Sequence, residues 1–238
     1  MKNFTTLIRI GGAAGRRNDL TPDSPGESFI SATRPPMKRS GHPAFTDCTT
    51  PLSSHMRLVM IVLRHCESEF NRLFTATRRD PGIADPPLSA HGHTQAEGLV
   101  QALAGQTIQR IIVSPFTRTL QTAAPVARAL GLRPSVHPLI RERAAFSCDV
   151  GSPPAQLALA WPELDFSGLE ETWWTTGIES PENVEERARI FRAEMSASPH
   201  WRNTLVVSHW GFLIAFTAAS MENGSWRRID PTEPLPAP

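Results

Sequence analysis

The 238-residue chain has no tyrosine, two lysines against 22 arginines, and three cysteines. The arginine skew and the missing tyrosine are compositional features from which no function is read. Cys48, Cys66 and Cys148 form an odd, sparse set without metal-ligand spacing, which fits a reducing compartment. A cytoplasmic location is therefore expected. No apolar stretch approaches the roughly 18–20 residues needed to span a bilayer, so no membrane partner is expected. The formal net charge is +1, and no strongly basic surface points to nucleic acid. Neither an internal repeat nor a second folded domain is apparent.

Against these absences stands a hydrophobic content of 40%, enough for one good core. Its most informative segment is Leu58-Val59-Met60-Ile61-Val62-Leu63-Arg64-His65. Six consecutive aliphatic residues suit a strand buried on both faces, as in a parallel sheet. Ligands of such sheets bind beyond the carboxyl ends of the strands. Arg64 and His65 thus lie where a guanidinium and an imidazole can meet an anion, with phosphate the first candidate. Two more apolar runs, Arg110–Val113 and Thr204–Val207, read as strands. The first leads to Ser114 and Arg118, the second to Ser208 and His209. Parallel strands would converge these groups on one pocket.

Between the strands lies helical spacing. Ala96, Leu99, Val100 and Leu103 share one face, as do Leu120, Ala123, Ala127 and Leu130, and Val184, Ala188, Phe191 and Met195. Ser180-Pro181 has the form of an N-cap followed by proline at the first helical position. The alternation predicts a three-layer α/β/α sandwich with a mainly parallel central sheet over residues 56–223. Residues 1–55 hold six Pro, five Gly and a net charge of +3, with no sustained periodicity. They read as a disordered extension, or as sequence upstream of a true start at Met56. Residues 224–238 read as a Pro-rich tail.

A phosphomonoester carries about two negative charges near neutrality. Arg64 and Arg118 offer planar, permanently charged donors for its oxygens. His65 and His209 supply one imidazole to attack phosphorus and one to steady the transferring oxygens. Glu142, between Arg141 and Arg143, is a carboxylic acid available to protonate a leaving alkoxide, and Asp149 could share or replace that role. With the charge met by arginine and histidine, no metal and no cofactor is required.

The segment Leu63–Asn71, with Arg64-His65-Cys66-Glu67 at its centre, resembles the Arg-His-Gly signature of the histidine phosphatase (phosphoglycerate mutase-like) superfamily. Four more blocks match in order: Asp85–Ser89 with Gly92 and Gln95-Ala96, Val113–Ala123, Leu139–Glu142, and Val207–Leu213. Five blocks in order are far more specific than one. Cys148–Pro153 and Leu164–Ser167 further resemble the plant and fungal phosphoglycerate mutase-like branch. The resemblance implies a phosphomonoesterase with His65 as the phosphorylated nucleophile. Arg64, Arg118 and His209 would bind the phosphoryl group, Glu142 would donate the proton, and Asn71 and Ser114 would lie near the pocket. It implies a small phosphorylated metabolite or a phosphoprotein as partner. Cys66 stands where the family has glycine, and would crowd the nucleophile if the backbone there required a glycine-only angle.

Rival readings stay open at this point. A phosphoglycerate-type mutase is one, although only 66 residues separate Glu142 from His209 and mutases of the superfamily carry a longer insert. A phospholigand-binding protein without turnover is another. His65-Cys66-x5-Arg72 also traces the outline of cysteine-dependent tyrosine phosphatases, but Glu67 and Glu69 and the lack of glycine make a poor dianion cradle. Trp173, Trp174 and Trp210 are candidates for a pocket wall or for core. Arg72, Arg78 and Arg79 are candidates for a positive approach field or a solvated loop.

Overall fold

The aliphatic run ahead of Arg64 becomes strand β1 (Met60–Arg64), whose side chains alternate between two separate hydrophobic clusters. A computed structural model of the chain describes residues 59–234. Ile61 and Leu63 enter one cluster with Ile111, Val113, Leu205 and Val207. Met60 and Val62 enter the other with Ile112 and Val206. The period of two in a strand sends successive residues to opposite faces, so an unbroken apolar run is what a sheet covered on both sides requires.

Helix α1 (Glu69–Thr77) and helix α2 (Ala90–Ala102) follow, then β2 (Arg110–Val113) and α3 (Thr117–Leu130). A short β3 (Ser135–Val136) precedes α4 (Pro154–Ala160) and α5 (Pro181–Ala197). The chain then forms β4 (Thr204–Ser208), α6 (Trp210–Thr217) and β5 (Trp226–Ile229). The strand order is β3-β2-β4-β1-β5, parallel except for β5, which runs antiparallel to β1. Helices α2 and α3 cover one face, α5 and α6 the other, which completes the α/β/α sandwich.

The helix faces read from spacing are largely buried. Ala96, Leu99 and Leu103 are in the core, as are Leu120, Ala123 and Ala127, whereas Leu130 at the end of α3 is 43% exposed. Ser180 caps α5, accepting from Asn183 N–H, with Pro181 first in the helix.

The C-terminal boundary needs correction. Residues after 223 are not all tail: β5 pairs with β1 from Leu63↔Trp226 to Met60↔Ile229, and Pro231 is buried. Its sequence, Trp-Arg-Arg-Ile, lacks apolar alternation because an edge strand tolerates charge toward water. Arg192 of α5 donates to the carbonyls of Phe216, Pro231 and Glu233, fastening the segment that follows. The expectations for residues 1–55 and for a start at Met56 lie outside the described residues.

Candidate active site

Register brings the site together. Arg64 pairs with Ser208, and Leu63 and Val113 both face Val207, so β1, β4 and β2 end level. His65 N–H donates to Ser208 O at 2.9 Å, and Ser114 N–H donates to Val207 O at 3.2 Å. One residue beyond each strand therefore stand His65, His209 and Ser114. Arg64, His65, Asn71, Arg118 and Glu142 line a single cavity of about 500 Å3. His209 and Ser114, both 0% exposed, sit behind that lining. The imidazole centroids of His65 and His209 are 5.2 Å apart.

The loop carrying His65 is braced from below. Cys66 N–H donates to Thr122 Oγ1 at 3.0 Å, and Glu67 N–H to Gln95 Oε1 at 2.9 Å. Ser89 caps α2 and also donates its hydroxyl to Glu67 at 2.6 Å. A Cβ on Gly92 would meet the Glu67 carbonyl oxygen at 1.9 Å, so only glycine lets α2 pass so close. Asp85 takes Thr117 N–H and O–H at 2.8 and 2.7 Å, capping α3 where Phe116 offers no polar side chain. The Asp85–Ser89 block is thus structural support for the groups above it.

Protons are assigned by what each nitrogen touches. His65 Nδ1 lies 2.7 Å from Cys66 O, a carbonyl that can only accept, so Nδ1 carries the hydrogen. Nε2 is left with its lone pair. Burial first, and then the Arg118 and Arg64 charges, hold the His65 pKa well below 6.5, which keeps the ring neutral. His209 is lowered likewise, by burial and then by Arg118, His65 and Arg64. Its Nε2 is 2.8 Å from Ser114 Oγ. Ser114 Oγ can donate or accept there; when it donates, the His209 hydrogen lies on Nδ1, which is then a donor suited to an oxyanion. Among the described residues, the buried side-chain nitrogens and oxygens without a hydrogen-bond partner are His209 Nδ1 and Arg64 Nε. Buried polar groups are seldom left so, and an oxyanion would satisfy both.

The two guanidinium groups are held rather than free. Arg118, 2% exposed, donates Nη1 to Cys148 O at 2.8 Å and Nη2 to Asp149 Oδ1 at 3.3 Å, with its Cζ 4.2 Å from the Phe116 ring centre. Arg64 donates Nη1 to Met221 O at 2.8 Å. Asn71 accepts through Oδ1 from Ser68 N–H and O–H and from Asn223, which also donates to His65 O at 3.0 Å.

Glu142 Oε1 accepts from the N–H groups of Arg143, Gly211 and Phe212, at 2.9, 2.8 and 3.3 Å. The latter two are orphan donors at the start of α6, whose N-cap His209 makes no side-chain cap bond. Burial and the neighbouring Asp149 raise the Glu142 pKa, outweighing the pull of Arg118, the Arg143 N–H bond and Arg64. Behind it, Arg187 donates to the carbonyls of Leu139, Arg141 and Glu142 and pairs with Glu179 at 2.7 Å. A Cβ on Gly211 would come within 2.7 Å of Glu142 Oε1, so glycine permits this contact.

Other candidates fall elsewhere. Cys66 does not occupy the left-handed region and its side chain is buried in the core. Burial pushes its thiol up to about 11, so it holds no thiolate near neutrality. Arg72 is paired with Glu69 at 2.7 Å and exposed, which removes the tyrosine phosphatase outline. Arg78 and Trp210 line the cavity, whereas Trp173 packs against Phe116 in the core. Sequence reasoning missed Phe70, Phe74, Phe146, Glu222 and Asn223, which also line the cavity. Nothing in their local sequence marks them.

Two buried imidazoles and two guanidinium groups thus gather near the carboxyl ends of parallel strands, a set of groups suited to an anionic ligand. Residues 60–233 match the histidine phosphatase superfamily (branch 1), and the chain belongs to that family. Phosphoserine phosphatase 1 of Hydrogenobacter thermophilus is 32% identical over 154 residues, 62% of this chain and 68% of that protein. A Yersinia enterocolitica protein named "Probable phosphoglycerate mutase GpmB" is 39% identical over 85 residues. That match spans 36% of this chain and 38% of the relative. A solved mycobacterial glucosyl-3-phosphoglycerate phosphatase, in complex with VO3, aligns with a TM-score of 0.52 at 25% identity. The alignment covers 72% of this chain and 90% of that one. Family and phosphatase-named relatives together make this chain a phosphatase. Among the described residues no helix is long and apolar enough to cross a membrane.

Proposed function

We propose that the protein hydrolyses phosphomonoesters without a metal, through a phosphohistidine on His65. His65 Nε2 forms the bond to phosphorus as the ester P–O bond breaks. Arg64, Arg118 and His209 hold the phosphoryl oxygens, Ser114 orients His209, and Asn71 steadies the entrance. Glu142 gives its proton to the departing oxygen. In the second half-reaction a water attacks phosphorus, Glu142 takes its proton, and inorganic phosphate leaves with His65 neutral again.

The observation that carries this reading is the His65 Nδ1–H bond to Cys66 O, at 2.7 Å. It fixes the tautomer whose Nε2 lone pair can attack, beside two cations that neutralise a dianion. A cavity of about 500 Å3 suits a small phosphorylated metabolite better than a protein surface. A cytoplasmic setting belongs to the same proposal and draws support from the free, buried Cys66 and Cys148. The nearness to plant and fungal phosphoglycerate mutase-like proteins draws no support from the relatives above, which are bacterial, and carries no part of it.

The test is phosphate release from p-nitrophenyl phosphate with EDTA present, in the wild type and in His65→Ala. Turnover lost in the variant supports the proposal; ligand binding with no wild-type turnover would favour a binding protein. The mutase-named relative motivates a second reading. Incubation with 3-phosphoglycerate and a trace of the bisphosphate separates them, since isomerisation outrunning phosphate release identifies a mutase.

A further inference from the structure

Seven large hydrophobic side chains are exposed among the described residues, and the two aromatic ones are Phe146 (46%) and Trp210 (47%). Both line the cavity that holds His65 and Glu142. A contiguous apolar patch rimmed by polar groups marks a binding surface, whereas a single exposed side chain does not.

Phe146 is part of a larger wall. Its ring centre lies 5.2 Å from that of Phe74 and 5.6 Å from that of Phe70, and the latter two stack at 5.4 Å. All three line the same cavity. The wall is built in place before any substrate arrives. Asp149 Oδ2 accepts Ala145 and Phe146 N–H at 3.0 Å each, while Oδ1 faces Arg118. Ser147 bonds to Asp80 through both its amide and its hydroxyl. One carboxylate therefore fixes both a guanidinium of the phosphate site and the aromatic beside it. Trp210 is steadied by its Nε1–H bond to Ser220 Oγ at 3.0 Å. It directly precedes Gly211, whose N–H binds Glu142. Phe146 thus stands beside Asp149 and Trp210 beside the Glu142 contact, both on the lining of the one cavity.

We infer that the site selects phosphomonoesters of apolar alcohols, above all those carrying an aromatic or long hydrocarbon group. The hydrocarbon lies against Phe70, Phe74, Phe146 and Trp210 while the phosphoryl group rests on Arg64 and Arg118. This rests on the phosphatase reading. A small polar acid such as phosphoserine would leave the wall in water. Arg78, Arg143 and Glu222 also line the cavity, and Arg143 Nε donates to Glu179 O at 3.0 Å.

The test is kcat/KM for ethyl, butyl and hexyl phosphate, 3-phenylpropyl phosphate, glycerol phosphate and phosphoserine, read as phosphate release. All have poorly acidic leaving groups, so differences report binding of the alcohol rather than bond breaking. Each methylene buried against the wall is expected to raise kcat/KM about two- to fourfold. The phenylpropyl ester should be fastest and phosphoserine slowest. Phe146→Ser and Trp210→Ala should flatten the chain-length slope, whereas a merely structural defect would lower every ester equally and keep the slope. A flat wild-type series, an unchanged slope in both variants, or phosphoserine outrunning the apolar esters overturns the inference and leaves the phosphatase reading standing. No phosphate from any ester, p-nitrophenyl phosphate included, would instead remove the phosphatase reading.

Discussion

Replacing Glu142 by Gln isolates one proton. Gln keeps an Oε1 that can accept from Arg143, Gly211 and Phe212, so the cap on α6 survives. The wild-type carboxyl is raised by burial and by Asp149, and a neutral amide is close to its protonated form. Stability should change by about 1 kcal/mol or less. Catalysis should respond very differently. Loss of a positioned acid costs about 10²–10⁴ in rate when the leaving group needs its proton, or roughly 3–5 kcal/mol at about 1.4 kcal/mol per decade. Ethyl phosphate, whose alkoxide departs only when protonated, should suffer that full loss. p-Nitrophenyl phosphate, whose phenolate departs unaided, should lose about tenfold or less in phosphorylation of the enzyme. Pre-steady-state release of nitrophenol and steady-state release of phosphate read the two cases. In the wild type kcat/KM for the alkyl ester should fall as pH rises through the raised Glu142 pKa, because the acid form is required. Glu142→Gln should lack that alkaline limb. Equal losses for both esters, or an alkaline limb that persists, would refute the assignment.

The neutral histidines make stability depend on pH. His65 and His209 have folded pKa values well below 6.5, so below that pH the unfolded chain binds protons that the folded chain refuses. Stability should therefore decline as pH falls from about 6.5, by up to about 1.4 kcal/mol per pH unit for each ring. Glu142 acts in the opposite sense and offsets part of this. Urea midpoints that do not move between pH 7.5 and 5.5 would contradict it. Asp149→Asn leaves the buried Arg118 without its carboxylate and should cost about 3 kcal/mol. It should also raise KM and weaken inhibition by inorganic phosphate, without the leaving-group dependence expected of Glu142→Gln. If that dependence appears in Asp149→Asn instead, Asp149 is the acid. Cys66→Ser should keep kcat within about threefold while losing about 1–2 kcal/mol of stability from burying a hydroxyl. A loss beyond a hundredfold would return the thiol to the mechanism.

The parts of the fold that the sequence displayed are those where one physical demand dominates. Strands β1, β2 and β4 are buried on both faces, so their central residues are apolar on both, and polar residues at their ends could be read directly. Helix α5 announced itself through Ser180-Pro181 and a clean apolar face. Strand β5 did not, because its position at the edge lets Arg227 and Arg228 occupy a strand without alternation. At the site, the end of β1 carries Arg64 and His65, the first turns of α1 and α3 carry Asn71 and Arg118, and a loop brings Glu142 to the same cavity. The aromatic wall was illegible: Phe70 and Phe74 belong to α1, Phe146 to a distant loop, and only tertiary folding brings them within 5.6 Å. The role of Asp149 was equally hidden, since its bonds run to Arg118 and to two amides that no local pattern links.

The most direct measurement of the central claim is to quench the enzyme during turnover of a phosphomonoester, under alkaline conditions that preserve phosphoramidates, and map the modified residue by mass spectrometry. The account predicts an acid-labile phosphoryl group on His65, attached through Nε2 and absent from His65→Ala. A phosphoryl group on Cys66, Ser114 or His209, or steady turnover in His65→Ala, would contradict it.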